Sequence, residues 1–351
     1  MMKAVRNFTI RSYRLQLSIL TILIALWTLY ATVSPGTFLR YGIYYSIMST
    51  LPFYAIMSLA LTYVIIAGEI DLSFPDVMAF SGYVFSAMFV QTGNIELAFG
   101  LCMICGLAAG ALNGVLVTKF HIPSLVATLG ASFFWRGSEI VLSGGWGVIL
   151  SPAENTIFRQ IMVGRLGGNG VPGQGIPAQA IWFVTLAIVL WIVLNRTKFG
   201  AHVYFVGDNL EGARMMGINV DVVKILIFTM MGACAAFAGT LDNLEVLYYW
   251  PTLGSGFLLR TIASVFLGGT SYFGGMGTIL GTFMGSIIIG SLETGIVAMG
   301  ISGFWVQVAE GVVILTAVVV QSVLMRRGRV RIPYISQVGR FRRSSKKPSS
   351  T

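Results

Sequence analysis

The chain reads as an all-α integral membrane protein of about ten transmembrane helices, interrupted by two glycine-rich breaks. Three observations predict this class. Of its 351 residues, 56% are apolar and only 10% charged, where a soluble domain carries roughly a quarter charged residues. A water-facing surface built from this chain would lack polar cover. Apolar stretches of about 20 residues recur, each long enough to cross about 30 Å of hydrocarbon, and the mean hydropathy is +0.81. The charges crowd toward the chain ends and the connections between these stretches.

Lys3, Arg6, Arg11 and Arg14 mark 1–14 as a basic cytoplasmic segment, and the first span follows over 15–33. This opening resembles a signal peptide, but its apolar run is too long and lacks a small-residue cleavage site, so it reads as a retained span. Further spans are predicted over 43–67, 75–91, 97–118, 124–143, 179–195, 222–243, 257–270, 278–299 and 304–324. An even count puts both ends in the cytoplasm. It also puts Lys119, Arg196, Lys198, Arg214 and Lys224 there, as the positive-inside bias requires, and leaves the Gly- and Pro-rich stretch 144–178 outside.

No carboxylate follows Glu310. The basic run from Arg326 to Lys347 makes 326–351 a cytoplasmic tail, expected to be disordered and to anchor at anionic lipid rather than bind nucleic acid. The body, 15–325, is the transmembrane domain, with a cytoplasmic segment over 200–221.

The breaks fall at Gly68-Glu69-Ile70-Asp71-Leu72-Ser73 and at Gly268-Gly269-Thr270-Ser271-Tyr272-Phe273-Gly274-Gly275. Broken backbone at membrane depth survives only where protein buries it or a cavity faces it, and paired broken helices are a habit of transporters with internal repeats. Gly106, Gly110, Gly114 and Gly277, Gly281, Gly285 are four-residue small-residue ladders that let helices approach closely. Cys102, Cys105 and Cys234 lie in apolar stretches and read as packing residues. Trp135, Trp146, Trp250 and Trp305 read as interfacial or vestibule aromatics.

The chain has no phosphate-cradling G-x-x-x-x-G-K-[ST], no H-E-x-x-H and no G-x-S-x-G. It therefore reads as neither an ATPase nor an enzyme, with no metal or cofactor of its own. Arg136 and Glu139, three apart, are expected to pair across a helical turn. Asp242, Glu245, Glu293 and Glu310 are expected near span ends where water reaches. Asn113 and Asn243, with Arg136 and Glu139, are the polar groups expected to face the bundle interior. Either substrate contact or interhelical bonding would account for them. In the segment from Gly200, Asp208 or Asn209 can cap a short helix that Glu211 and Ala213 to Met216 continue and Gly217 stops.

These stretches resemble the ribose/xylose-type permeases of ABC transporters. Gly207-Asp208-Asn209-Leu210-Glu211-Gly212-Ala213-Arg214 to Gly217-Ile218 is similar to that family's cytoplasmic coupling segment. Gly68 to Ser73 is similar to its Gly-Gly-Ile-Asp-Leu-Ser. Asn113-Gly114 through Ile122-Pro123 to Thr128-Leu129-Gly130 and Arg136-Gly137 is similar to its fourth and fifth spans. Gly268-Gly269-Thr270-Ser271 with Gly274-Gly275-x-Gly277-Thr278 is similar to its glycine-rich loop. All four occur in the family's order, within about residues 45–325.

The resemblance implies the ABC importer permease fold in a bacterial inner membrane. Two permease subunits, alike or related, would form the pathway, with cytoplasmic ATPases that use ATP and Mg and an extracytoplasmic sugar-binding protein. Gly207, Asp208, Asn209, Glu211, Ala213, Arg214, Gly217 and Ile218 would form the coupling helix. Glu69, Asp71 and Gly268 to Ser271 would belong to the pathway and its gates. Glu69 stands where the family has Gly, and Leu258-Leu259-Arg260 where it often has Glu-Leu-Asp. The cargo stays open among ribose, xylose, other aldoses, polyols and autoinducer-like sugar derivatives. An ion-coupled secondary carrier is the alternative function. It would need coupling charges inside the bundle, which are scarce here.

Overall fold

A computed structural model describes residues 2–167 and 174–328. The side chains of the basic segment 1–14 and the tail 329–351 lie outside the described residues. A helix stands at every predicted span: α1 (Met2–Val33), α3 (Tyr41–Ile66), α4 (Phe74–Thr92), α5 (Ile95–Lys119), α6 (Ser124–Ser143), α8 (Ala178–Arg196), α11 (Val220–Val246), α12 (Phe257–Leu267), α13 (Ile279–Ala298) and α14 (Trp305–Gly328). Among the described residues, six are long and apolar enough to cross a bilayer: α1, α3, α5, α8, α11 and α13. α12 falls short because Gly268 ends it, and α4 and α6 each carry charge, at Asp76 and at Arg136 and Glu139. The first helix also begins earlier than expected, running through the basic segment without a break.

α3 is the axis of the bundle. Its apolar window is 94% buried, against 11% for α1, which lies on the outside. The predicted glycine ladders explain the closest approaches. A Cβ on Gly106 would sit 2.5 Å from the Ala236 Cβ, and one on Gly114 2.6 Å from the Ile225 Cα, so α5 and α11 meet almost backbone to backbone. Gly281 and Gly285 do the same for α13 against α12, facing the Gly268 and Ser264 carbonyls. Close approach of this kind trades side-chain volume for dispersion contact, which is what drives helix association where lipid is as apolar as the core. Cys102 packs in the α5–α11 seam, its Sγ 3.4 Å from Thr240 Oγ1, and the three cysteines are free thiols.

The two ends of the bundle differ. At one, here termed the strand end, short connections pair as β1 (Val148–Ile149) with β4 (Tyr248–Tyr249) and β2 (Arg165–Leu166) with β3 (Ile176–Pro177). Near them lies α7 (Ile157–Val163), and α2 (Pro35–Phe38) joins α1 to α3. At the other, the junction end, the close of α9 (Lys198–Asp208) lies against the two broken stretches, and α10 (Leu210–Met215) follows it. The 67–73 stretch is tied there to the start of α6, the Ile70 N–H donating to Ser124 Oγ at 3.1 Å.

Candidate coupling and gating site

The segment 200–221 folds as two helices rather than one. Thr197 caps α9, its hydroxyl accepting from the Gly200 N–H at 3.2 Å. Asp208 closes α9, and Asn209, the other expected cap, starts α10 by accepting from the Gly212 N–H at 2.9 Å. Gly217 stops α10 with φ +78°, a left-handed turn that other residues adopt at a cost, and the Ile218 N–H closes back on the Ala213 carbonyl at 3.1 Å. Ala213 and Ile218 are buried and anchor the unit. Glu211, Arg214, Met215 and Met216 face outward, Met215 being 87% exposed. A methionine that far from any core is spare apolar surface on a capped, anchored helix.

Gly207 brings the remaining motifs together. Its Cα lies so close to the end of α3 that a Cβ would overlap the Ile66 carbonyl oxygen and come within 2.7 Å of the Gly275 nitrogen. That Gly275 N–H donates to the Ile66 carbonyl at 2.8 Å. A Cβ on Gly274 would sit 2.9 Å from the Gly207 oxygen and 3.0 Å from the Gly68 Cα, and one on Gly275 would meet the Asp208 Cα at 3.1 Å. Tyr204 adds a hydroxyl donor to the Gly277 carbonyl at 2.8 Å. Three stretches that are distant in sequence therefore converge through backbone: Gly68, Gly207-Asp208 and Gly274-Gly275.

The second break is built from its own backbone. Gly268 still has a right-handed helical conformation, and the turn follows it. The Thr270 N–H reaches the Val265 carbonyl at 3.2 Å and the Ser271 N–H the Met276 carbonyl at 2.8 Å. Ser271 Oγ accepts from the Phe273 N–H at 3.2 Å. Thr270 and Ser271 are buried.

The first break is held by polar side chains instead. Asp71 accepts from the Ser73 N–H at 2.8 Å and the Ser73 hydroxyl at 2.7 Å, and that hydroxyl in turn accepts from Asn113 Nδ2 at 2.7 Å. Burial pushes the Asp71 carboxyl up to about 6, and the bonds from Ser73 and Asn113 partly offset this. Glu69 forms an ion pair with Lys224 of α11, and Lys119 pairs with Asp221 at 2.9 Å beside it. The Glu69 carboxylate thus has a cation waiting for it.

Arg136 and Glu139 do not chiefly serve each other. Their closest approach is 3.9 Å, whereas Arg136 lies 2.7 Å from Asp76 of α4 and donates to the Pro251 and Leu253 carbonyls at 2.7 and 3.0 Å. Glu139 is fully buried and accepts from the Tyr249 hydroxyl. A guanidinium has enough donors in one plane to satisfy a carboxylate and two carbonyls at once, so Arg136 clamps the 250–253 loop against α4. Asn243 binds across to α4 at the Gly82 carbonyl, 2.9 Å, and Ser86 Oγ, 3.1 Å. Asn243 therefore bonds between helices, and Asn113 bonds from α5 to the first break.

The expectation of water at the four acids fails for Asp242 and Glu310, which are buried. Glu310 is held by Arg260 at 3.0 Å, Glu293 by the same arginine at 2.8 Å, and Glu245 by Arg165. Asp76, Ser73, Lys224 and Tyr249 were missed as site residues. Asp76 carried a signal, a lone carboxylate in the first turn of an apolar helix, where the helix dipole favours it.

A protein family described as branched-chain amino acid transport system / permease component matches residues 43–323. The chain belongs to this permease family. Among curated relatives, the ribose import permease protein RbsC of Escherichia coli is 31% identical over 319 residues, covering 90% of this chain and 97% of the relative. The same-named protein of Bacillus subtilis is 35% identical over 75% of this chain and 79% of its own. The autoinducer 2 import system permease protein LsrC of Yersinia enterocolitica is 33% identical over 68% of this chain and 63% of its own. No solved structure matches. The chain is a multi-pass membrane permease.

Proposed function

We propose that the chain is the membrane-spanning subunit of a binding-protein-dependent ABC importer for a monosaccharide or a related sugar or polyol, in a bacterial inner membrane. About ten helices form its half of the pathway, with both termini cytoplasmic, and a second permease subunit, identical or related, supplies the other half. A cytoplasmic ATPase binds the ATP and Mg, an extracytoplasmic binding protein delivers the cargo, and this chain carries no cofactor and catalyses no reaction.

The observation that carries the reading is the convergence at Gly207. A capped helix presenting Met215 and Met216 is joined through backbone to both broken stretches, so a push on α10 reaches both without passing through a flexible side chain. The names of the relatives point to ribose-like cargo, and the family description is broader than the sugar class. An ion-coupled carrier is not favoured. Of the acids inside the bundle, Asp76, Glu245 and Glu310 are already held by Arg136, Arg165 and Arg260.

The test is to solubilise native membranes gently, isolate the chain and identify its stoichiometric companions by mass spectrometry. The reading expects a P-loop ATPase, and expects uptake in proteoliposomes only with ATP and the binding protein. A chain that comes alone and moves solute without ATP would overturn it.

A further inference from the structure

The loop of the second break carries an exposed aromatic pair that its role in the bundle does not use. Phe273 is 77% exposed, and Tyr272, also exposed, meets it edge-on with ring centroids 5.6 Å apart and leans on Phe266 of α12. Met276 is exposed beside them. Two residues beyond Phe273 lies Gly275, the residue packed against Asp208, and Asn209 then opens α10. The loop and α10 are therefore neighbouring parts of one face at the junction end.

Two arguments say what covers this face. Asp208 is exposed beside the loop, which places the tip in water rather than in hydrocarbon, and a carboxylate there repels anionic headgroups. Uncovered aromatics in water mark a protein-binding site. The second argument is size. α10 has six residues and is about 9 Å long, whereas a stable interface covers about 800 Å² on each partner. Leu210, Met215 and Met216 fall short of that alone, and the loop, packed against Asp208 through Gly275, adds exposed apolar surface beside them.

We infer that Tyr272, Phe273 and Met276 form the second half of the docking surface for the cytoplasmic ATPase, continuous with α10. This rests on the importer reading above. The ATPase would then touch the second break directly as well as through α10.

The test places a benzophenone photo-crosslinking amino acid at Phe273, and in a parallel protein at Met215, within the full complex in native membranes. The expected result is a P-loop ATPase adduct from both positions. If the Met215 probe captures the ATPase while the Phe273 probe captures only lipid or a second copy of this chain, the inference is overturned and the importer reading stands. If neither captures it, both fall. The double variant Tyr272→Ser/Phe273→Ser should lower co-purified ATPase roughly tenfold, as loss of aromatic anchors does elsewhere, with the chain still at its normal level in the membrane. Undiminished ATPase in that variant would also overturn it.

Discussion

The two broken stretches meet at the same place but are held there by opposite means. The first relies on side chains: Asp71, Ser73 and Asn113 in one relay, Glu69 with Lys224 in an ion pair. The second uses no charge and is fixed chiefly by backbone bonds within itself and to Ile66, with the hydroxyls of Ser271 and Tyr204 bonding to main chain beside them. A side-chain lock can be loosened in steps, because each polar group can be trimmed separately. A backbone lock tolerates almost nothing at the contact and almost anything beside it.

That contrast can be broken first at Gly207. Gly207→Ala has no room for its methyl group against the Ile66 carbonyl, so uptake should be abolished. Co-purification of the ATPase through the exposed face of α10 should survive, which a transport assay beside a pull-down would show. Loss of both together would mean that α10 cannot fold on its anchor, and retained uptake would remove Gly207 from the transmission. Asn113→Ala removes the donor to Ser73 and should cost about 1–3 kcal/mol, the range for a buried group losing its partner, visible as a lower melting temperature of the purified protein. The second break should stay intact, so hydrolysis should still depend on the permease.

The first break also carries a buried carboxyl group, Asp71, whereas the second carries no carboxyl group. Because the folded protein holds the Asp71 carboxyl near 6, above the unfolded value, its ionisation opposes folding. Stability should fall as pH rises from about 4 through about 6, and Asp71→Asn should flatten that slope in a pH series of melting curves. The smallest change is expected at Lys119→Ala, which breaks the pair with Asp221, whose side chains are 60% and 32% exposed. Uptake should stay within about twofold, since an exposed ion pair contributes about 0–1 kcal/mol. A larger loss would make the pair a working part of the gate.

The parts legible in the sequence were those with local causes. Asn209 as a cap, Gly217 as a stop and the ladders at Gly106 and Gly281 each follow from spacing within a few residues, and each is where the spacing put it. The site residues that escaped notice have distant partners. Asp76 and Arg136 are 60 positions apart, and Tyr249 and Glu139 are 110 apart. No periodicity links such pairs, and an i,i+3 neighbour offers itself first. The convergence of Gly68, Gly207 and Gly275 escaped for a related reason: each reads locally as a turn, and only the assembled bundle shows that the turns face one another.

Arg136 bears on how such a machine can change its cargo. Its bonds run to backbone carbonyls at Pro251 and Leu253, and the Gly207 contacts likewise involve main chain only. Beyond the Asp76 carboxylate that Arg136 also holds, neither arrangement reads the identity of the neighbouring side chains. Relatives could rewrite the walls of the conduit residue by residue, and so retune what passes, while the drive train kept its dimensions.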